Sequence, residues 1–119
     1  MSKKILITDD DRELVEVMKE RFELNGYTVV TAYNGDECLE TAKKELPDLI
    51  ILDVTMPVMD GYSAVKAIKT DTAIKHIPIV MLTGKDHMED LFKMEGIQEY
   101  VIKPFDYEYL SGIVKKLCG

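Results

Sequence analysis

Carboxylate side chains follow two of the most apolar runs in this 119-residue chain. An aspartate triplet that starts at Asp9 follows the run Ile5–Thr8, and Asp53 directly follows Leu49–Leu52. Carboxylates that gather within a few ångströms repel one another, so each becomes a weaker acid unless a cation lies among them. Mg²⁺ is the natural cation, because it takes one or two carboxylates together with water and phosphate oxygens. The residue types therefore predict a metal site suited to phosphate chemistry, provided that the fold brings both runs together.

A hydroxyl and an ammonium group stand at the ends of two further apolar runs. Thr83 follows Ile77–Leu82, and Lys103 follows Tyr100–Ile102. Either residue alone is ordinary, because threonine is common in strands and lysine is common on surfaces. Beside the carboxylates, however, Lys103 would neutralise incoming phosphoryl oxygens and Thr83 would donate a hydrogen bond to one of them. The complete set predicts an arrangement that places a phosphoryl group on Asp53.

These groups must be positioned by strands that alternate with helices along the whole chain. Strands are predicted at Ile5–Thr8, Thr28–Ala32, Leu49–Leu52, Ile77–Leu82 and Tyr100–Ile102. Apolar residues three and four apart predict helices around residues 14–22, 38–42, 64–68, 88–92 and 110–117. This (βα)5 alternation implies an α/β fold with a parallel sheet covered by helices on both faces. The common doubly wound order, 2-1-3-4-5, opens a crevice between strands 1 and 3, where Asp9 and Asp53 lie.

Capping signals support the predicted helix starts. Asn34 stands three residues before Glu37, which is the spacing of a capping box. Asp10 has the same spacing to Glu13, so we expect Asp10 to cap the first helix in addition to any role in a metal site. Asp11 is then expected to be only a first-turn acid that the helix dipole favours.

Composition limits the kind of protein. One domain over residues 1–119 is expected, since this length can bury a single core. No apolar run approaches the ~20 residues of a membrane span, and the first residues lack the apolar segment of a signal peptide. The net charge of −7, with Arg12 and Arg21 as the only arginines, argues against direct nucleic-acid binding. Cys38 and Cys118 are expected to be reduced thiols, which favours a cytoplasmic location.

In this order and spacing, the residues resemble the receiver domain of two-component response regulators, the CheY-like superfamily. The matching pieces are Asp9-Asp10, the segment Asp53-Val-Thr-Met-Pro-Val-Met-Asp-Gly61, Thr83 and Lys103-Pro104-Phe105. The resemblance covers the whole chain and implies a three-layer sandwich of the flavodoxin and CheY type. It also implies that a sensor histidine kinase or a histidine phosphotransfer protein supplies a phosphoryl group to the domain.

The resemblance implies a metal-dependent phosphoacceptor. Asp53 resembles the residue that receives the phosphoryl group. Asp10, Asp53 and the backbone carbonyl of Thr55 resemble the ligands of Mg²⁺, which Mn²⁺ can replace, and Asp9 resembles the acid that acts through a metal-bound water. Such domains catalyse their own phosphorylation and dephosphorylation. A signalling module, rather than an enzyme with a separate substrate, is therefore expected.

The resemblance also implies how phosphorylation is read out. Thr83 and Lys103 resemble the pair that contacts the phosphoryl group, and Lys103-Pro104 resembles the family's cis peptide bond. Tyr100 is similar to the family's aromatic switch residue, although packing on a strand near the sheet edge would equally explain it. The surface of the fourth helix, fifth strand and fifth helix is then expected to switch and to bind an unknown downstream protein.

Two departures from the family pattern bear on that surface. The stretch from Thr83 to Lys103 is shorter than usual, which predicts a short or shifted fourth helix. The fifth helix has no arginine for the charged dimer interface of many DNA-binding relatives, so a monomer or weak dimer is expected. The chain carries no effector domain, so we expect output through a partner protein, unless the chain is a piece of a longer protein.

Other interpretations make different demands on the same residues. A phosphohydrolase of the haloacid-dehalogenase kind would need a second aspartate two residues after Asp53, where Thr55 stands. An FMN carrier would need a glycine- and hydroxyl-rich loop where Asp9 to Asp11 would repel the phosphate. A receiver that had lost its chemistry would lack a key group, and none is missing. Val15, at the margin of the first helix's apolar stripe, is either a core residue or a half-exposed contact for the phosphodonor.

Overall fold

The apolar runs form one parallel sheet in the computed structural model, which describes residues 2–54, 61–84 and 97–119. Within those ranges the strands are β1 (Lys4–Thr8), β2 (Thr28–Ala32), β3 (Leu49–Asp53), β4 (Ile79–Thr83) and β5 (Glu99–Ile102). The helices of the same ranges are α1 (Arg12–Leu24), α2 (Gly35–Glu45), α3 (Gly61–Thr70) and α4 (Tyr107–Cys118). The strand order β2-β1-β3-β4-β5, with parallel neighbours throughout, confirms the predicted doubly wound fold.

Some predictions fall outside the described residues. They are the helix around residues 88–92, with its proposed shortening, and the backbone carbonyl of Thr55. Among the residues that are described, no helix is both long and apolar enough to cross a membrane.

Both faces of the sheet are covered, because side chains alternate between the faces along each central strand. Leu6 and Ile50 pack with α2 and α3 on one face. Ile7 and Ile51 pack with α1 and α4 on the other face. β3 and β4 are buried at every residue, as expected for the middle of a parallel sheet. The three-layer sandwich is therefore confirmed.

The register of the sheet brings the strand ends to a common edge. Thr8 of β1 pairs with Leu52 of β3, and the next residue of β3, Asp53, pairs with Leu82 of β4. Because all strands run the same way, the residues at or just after their carboxyl ends emerge side by side. This carboxyl edge is where the predicted site residues lie.

Several strand boundaries differ from the prediction. β4 begins at Ile79 rather than Ile77, because Ile77 packs into the core from the turn before the strand. Asp53 is the last residue of β3 rather than the residue after it. β5 begins one residue earlier than expected, at Glu99.

The buried stripe of α1 runs through Val15, Met18 and Phe22, whereas Leu14 is only partly buried. Val15 is 0% exposed, so the interpretation of this residue as a half-exposed partner contact is wrong and it belongs to the core. Helix phase is the reason, because Leu14 and Val15 both lie at helical spacing from Met18. Packing on the sheet selects the set that begins at Val15.

Candidate functional site

Side chains from the ends of three strands meet at the carboxyl edge of the sheet. Lys103, just after β5, donates a hydrogen bond from Nζ to Asp9 Oδ2 at 2.7 Å, and its Nζ lies 3.2 Å from Asp53 Oδ1. Asp9 is 0% exposed and Asp53 is 5% exposed, so one ammonium group serves two buried carboxylates. The backbone N–H of Lys103 donates to the carbonyl of Thr83 at 2.7 Å. This bond extends the pairing of β4 and β5 and fixes where the lysine leaves the sheet.

The other two aspartates of the triplet have different surroundings. Asp10 is exposed, and one of its carboxylate oxygens lies within 4.8 Å of oxygens of both Asp9 and Asp53. Asp11 is the N-cap of α1, because its Oδ1 accepts a hydrogen bond from the backbone N–H of Leu14 at 3.2 Å. The expectation that Asp10 caps this helix, with Asp11 as a mere first-turn acid, is therefore wrong. The helix starts one residue later than expected, which leaves the Asp10 carboxylate to the cluster.

Burial opposes ionisation of the carboxylates in this cluster. Desolvation raises the pKa of Asp53 to about 6, and the charge of Asp9 adds to the rise while Lys103 opposes it. Burial also raises the pKa of Asp9 above its usual 3.8, against the hydrogen bond from Lys103. Burial alone would lower the pKa of Lys103, but the hydrogen bonds and charges of Asp9 and Asp53 together outweigh it and raise that pKa above 10.5. Acids that resist ionisation beside a charged lysine indicate a place where a further cation would be stabilising.

The remaining predicted residues also lie at or near this edge. The Thr83 side chain is buried at the end of β4, and its Oγ1 donates to the carbonyl of Gly84 at 2.9 Å. Tyr100 is half-buried on the edge strand β5 and packs against the core on the α2 and α3 face. The Lys103-Pro104 peptide bond is cis, as predicted.

Gly61 supports the end of β3 in a way that sequence reasoning missed. Its backbone N–H, at the start of α3, donates to the carbonyl of Val54 at 2.7 Å. A Cβ at Gly61 would lie 2.4 Å from the backbone oxygen of Asp53, so α3 begins directly against the strand that carries this aspartate. The signal in the sequence was a glycine three residues before the helix predicted around residues 64–68, but only the fold reveals the contact.

In doubly wound sheets, ligands bind at the carboxyl ends of the strands. Here that edge carries acids and a lysine instead of a glycine-rich phosphate loop, which defines a class of proteins that binds phosphoryl groups through a metal ion and a lysine. Residues 5–115 match the response regulator receiver domain. The chain is 38% identical over 121 residues to the alkaline phosphatase synthesis transcriptional regulatory protein PhoP of Bacillus subtilis, covering 98% of this chain and 49% of PhoP. It thus spans about half the length of that curated relative. The chain belongs to the receiver domain family of two-component response regulators, whose role is that of a phosphoacceptor.

Solved structures agree with this assignment. The chemotaxis response regulator CheY4 of Vibrio cholerae superposes with a TM-score of 0.91 at 34% identity, covering 98% of this chain and 99% of CheY4. The response regulator TrrA of Thermotoga maritima, solved in complex with Mg(2+)-BeF, superposes with a TM-score of 0.87 at 35% identity. That match covers 97% of this chain and 98% of TrrA.

Proposed function

We propose that Asp53 is the phosphoacceptor of this receiver domain. The observation that carries the proposal is the contact of a single ammonium, Lys103 Nζ, with both Asp9 and Asp53. Asp9 uses both of its oxygens, Oδ2 for Lys103 and Oδ1 for the backbone N–H of Asp11 at 3.0 Å. Asp53 contacts Lys103 through Oδ1, and its Oδ2 makes no hydrogen bond with a described residue. Asp53 is therefore the buried carboxylate with an oxygen left to attack phosphorus.

The carboxylate cluster fits Mg²⁺. Its three oxygens converge within 4.8 Å, and a cation there would offset the repulsion between the carboxylates that adds to the raised pKa of Asp53. We assign Asp10, Asp53 and the backbone carbonyl of Thr55 as ligands, with Asp9 acting through a water molecule. Mn²⁺ prefers the same oxygen ligands and would serve as well. When bound, the cation offsets negative charge on the phosphoryl oxygens.

Lys103 and Thr83 would hold the transferred group. Lys103 Nζ already lies 3.2 Å from Asp53 Oδ1, within reach of an oxygen on a phosphorylated Asp53. The Thr83 hydroxyl now donates to the carbonyl of Gly84, and rotation of the side chain would redirect that donor toward the phosphoryl group. Because the domain supplies these groups itself, we propose that it catalyses its own phosphorylation and dephosphorylation. It has no separate substrate to turn over, as an enzyme would.

We propose that the phosphodonor is a sensor histidine kinase or a histidine phosphotransfer protein and that the domain acts in the cytoplasm. A groove beside the cluster is lined by Asp11, Leu14, Lys103, Pro104 and Phe105. Its apolar residues suit the docking of a donor helix that carries phosphohistidine. Leu14, rather than the buried Val15, is the α1 residue available for that contact.

Output would pass through the surface of β5 and α4 together with the segment before β5. Tyr100 lines this surface, with the exposed side chains of Ile102 and Tyr109 beside it. We propose that residues 1–119 act as one receiver domain, monomeric or weakly dimeric. It would bind a downstream protein here and make no direct contact with nucleic acid.

Phosphorylation by acetyl phosphate tests the assignment without a kinase. In Mg²⁺ buffer, intact-protein mass spectrometry should show one added phosphoryl group on the wild type and none on Asp53→Asn. Asp48→Asn, an exposed aspartate at the opposite edge of the sheet, is the matched control and should react normally. Equal phosphorylation of Asp53→Asn would refute the role of Asp53. Loss of reaction on replacing Mg²⁺ by a chelator would support the metal requirement.

A further inference from the structure

Arg12 lies over a tyrosine ring at the same edge as the carboxylate cluster. Its Cζ is 3.9 Å from the centroid of the Tyr33 ring. Arg12 is the first residue of α1, directly after the aspartate triplet, and Tyr33 directly follows β2. The backbone N–H of Asp9 donates to the carbonyl of Ala32 at 3.3 Å, so the ends of β1 and β2 are joined there. The stacked pair therefore lies on the β2 side of the turn that carries Asp9 and Asp10.

The tyrosine platform is itself held in place. The backbone N–H of Tyr33 donates to Glu37 Oε1 at 2.9 Å, and its hydroxyl accepts from Thr31 Oγ1 at 3.4 Å. Arg12 makes no ion pair with a described residue, so its charge is not cancelled by a direct carboxylate partner. Stacking restrains the exposed guanidinium and leaves its N–H groups free to face solvent.

The position of this arginine is not explained by helix stability. A cation in the first helical turn faces the positive end of the helix dipole, where acids are preferred. The crevice beside it is negative, since three carboxylates, those of Asp9, Asp10 and Asp53, converge beside the ammonium of Lys103 among the described residues, and the chain carries a net charge of −7. A phosphodonor brings close to two further negative charges. A positive group fixed beside that turn would assist the approach of such a donor.

We infer that Arg12, stacked on Tyr33, is a positioning residue that attracts and orients doubly negative phosphodonors, such as acyl phosphates, toward Asp53. The inference rests on the proposed role of Asp53. In the reaction that it assists, an Asp53 oxygen forms a bond to phosphorus. The bond from phosphorus to the acyl oxygen breaks, and the carboxylate leaves with the electron pair. Arg12 takes no part in bond formation, and its contribution is electrostatic.

The chain contains a matched control for this stacked pair. Arg21 lies over the Tyr107 ring at 4.4 Å, nine residues further along α1, which corresponds to roughly 13 Å of helix. Arg12→Gln and Arg21→Gln change the net charge of the protein equally. Any difference between the two variants therefore reports where the charge lies.

The experiment compares initial rates of Asp53 phosphorylation with two small donors in Mg²⁺ buffer. Acetyl phosphate is the doubly negative donor, and phosphoramidate is the contrasting donor because its protonated nitrogen cancels part of the charge. At low salt, Arg12→Gln should react about three to ten times more slowly with acetyl phosphate and less than about twofold more slowly with phosphoramidate. Near half-molar salt the acetyl phosphate difference should shrink to about twofold or less. Arg21→Gln should match the wild type under both conditions.

Two further variants separate charge from structure. Arg12→Lys should recover most of the rate, because it keeps the charge. Tyr33→Leu should give an intermediate rate, because Arg12 loses its platform. An equal loss with both donors, a loss that persists at high salt, or equal rates for Arg12→Gln and Arg21→Gln would overturn the inference. Failure of the wild type to be phosphorylated at Asp53 would instead count against the proposed function.

Discussion

The two edges of the sheet both carry charged side chains, but they arrange them in opposite ways. At the amino edge, Lys4 and Asp48 are joined by two hydrogen bonds of 2.8 Å, from each backbone N–H to an oxygen of the other residue. The Lys4 ammonium contacts Glu45 at 3.1 Å, and each of these two side chains remains about a third exposed. The Lys4 ammonium has one carboxylate partner there, Glu45, and water reaches both side chains.

At the carboxyl edge two of the carboxylates, Asp9 and Asp53, are buried, and they share one partly exposed ammonium. Lys103 is shared between Asp9 and Asp53, and Asp10 approaches the same place. Such an arrangement makes a poor contribution to stability, because buried charges lose hydration that their contacts do not fully restore. The comparison indicates that the charged groups of the amino edge stabilise the fold. The carboxyl edge instead carries excess negative charge, which a bound metal ion would offset.

The largest difference between the two edges should appear in the free energy of unfolding when one lysine is removed from each. Lys103→Met leaves two buried carboxylates without a cation, so the free energy of unfolding at neutral pH should fall by about 3 kcal/mol. Lys4→Met removes a partly exposed pair and should cost less than about 1 kcal/mol. Urea denaturation in Mg²⁺-free buffer measures both values. Equal losses would show that the two edges do not differ as described.

A methyl group added at each of two glycines tests how tightly the carboxyl edge is built. Gly61→Ala should destabilise by about 2 kcal/mol, because the new Cβ meets the backbone oxygen of Asp53 at 2.4 Å. Gly112→Ala, within α4, meets no atom within 4 Å and should stabilise by about 0.5–1 kcal/mol, since alanine is the better helix former. Gly61→Ala should also slow phosphorylation, because Asp53 must shift. Thermal unfolding measures both variants. Melting temperatures that shift in the same direction for the two would contradict the close approach of α3 to β3.

The pH dependence of stability should separate the buried acid from the rest of the protein. The pKa of Asp53 rises from 3.8 to about 6 on folding, so the native state holds this proton longer than the unfolded state does. The contribution of Asp53 to the free energy of unfolding therefore falls as the pH rises from about 4 to about 6. Between about pH 5 and pH 7.5, the wild type should lose about 1 kcal/mol more stability than Asp53→Asn does. Saturating Mg²⁺ should reduce this difference, and parallel stability curves without Mg²⁺ would contradict the raised pKa.

Much of this site could be predicted because it follows from topology alone. Asp9, Asp53, Thr83 and Lys103 stand at or just after strand ends, and parallel strands of a doubly wound sheet end at one edge. The alternation of strands and helices predicts a parallel sheet, and the common order of five such strands then places these ends side by side. Their proximity could therefore be predicted without knowledge of any side-chain contact.

Details that depend on a one-residue choice could not be predicted in the same way. Asp10 and Asp11 both satisfy the local rules for an N-cap, and the turn after β1 decides between them. Leu14 and Val15 both fit the apolar spacing of α1, and packing on the sheet decides the phase. The stacking of Arg12 on Tyr33 joins residues that meet only because β1 pairs with β2.

The same substitution at each edge, aspartate to asparagine, should produce small effects of opposite sign. Asp10→Asn removes one of the charges that raise the pKa of Asp53, so it should stabilise the Mg²⁺-free protein by less than about 1 kcal/mol at neutral pH. It should also weaken Mg²⁺ binding, because an amide oxygen replaces the carboxylate proposed as a ligand. Asp48→Asn removes a charge beside Lys4 and should leave stability unchanged or slightly lower. Melting temperatures without Mg²⁺, together with a Mg²⁺ titration, measure both effects. A lower melting temperature for Asp10→Asn would mean that Asp10 stabilises this edge in the way Asp48 stabilises the other, and the contrast between the two edges would fail.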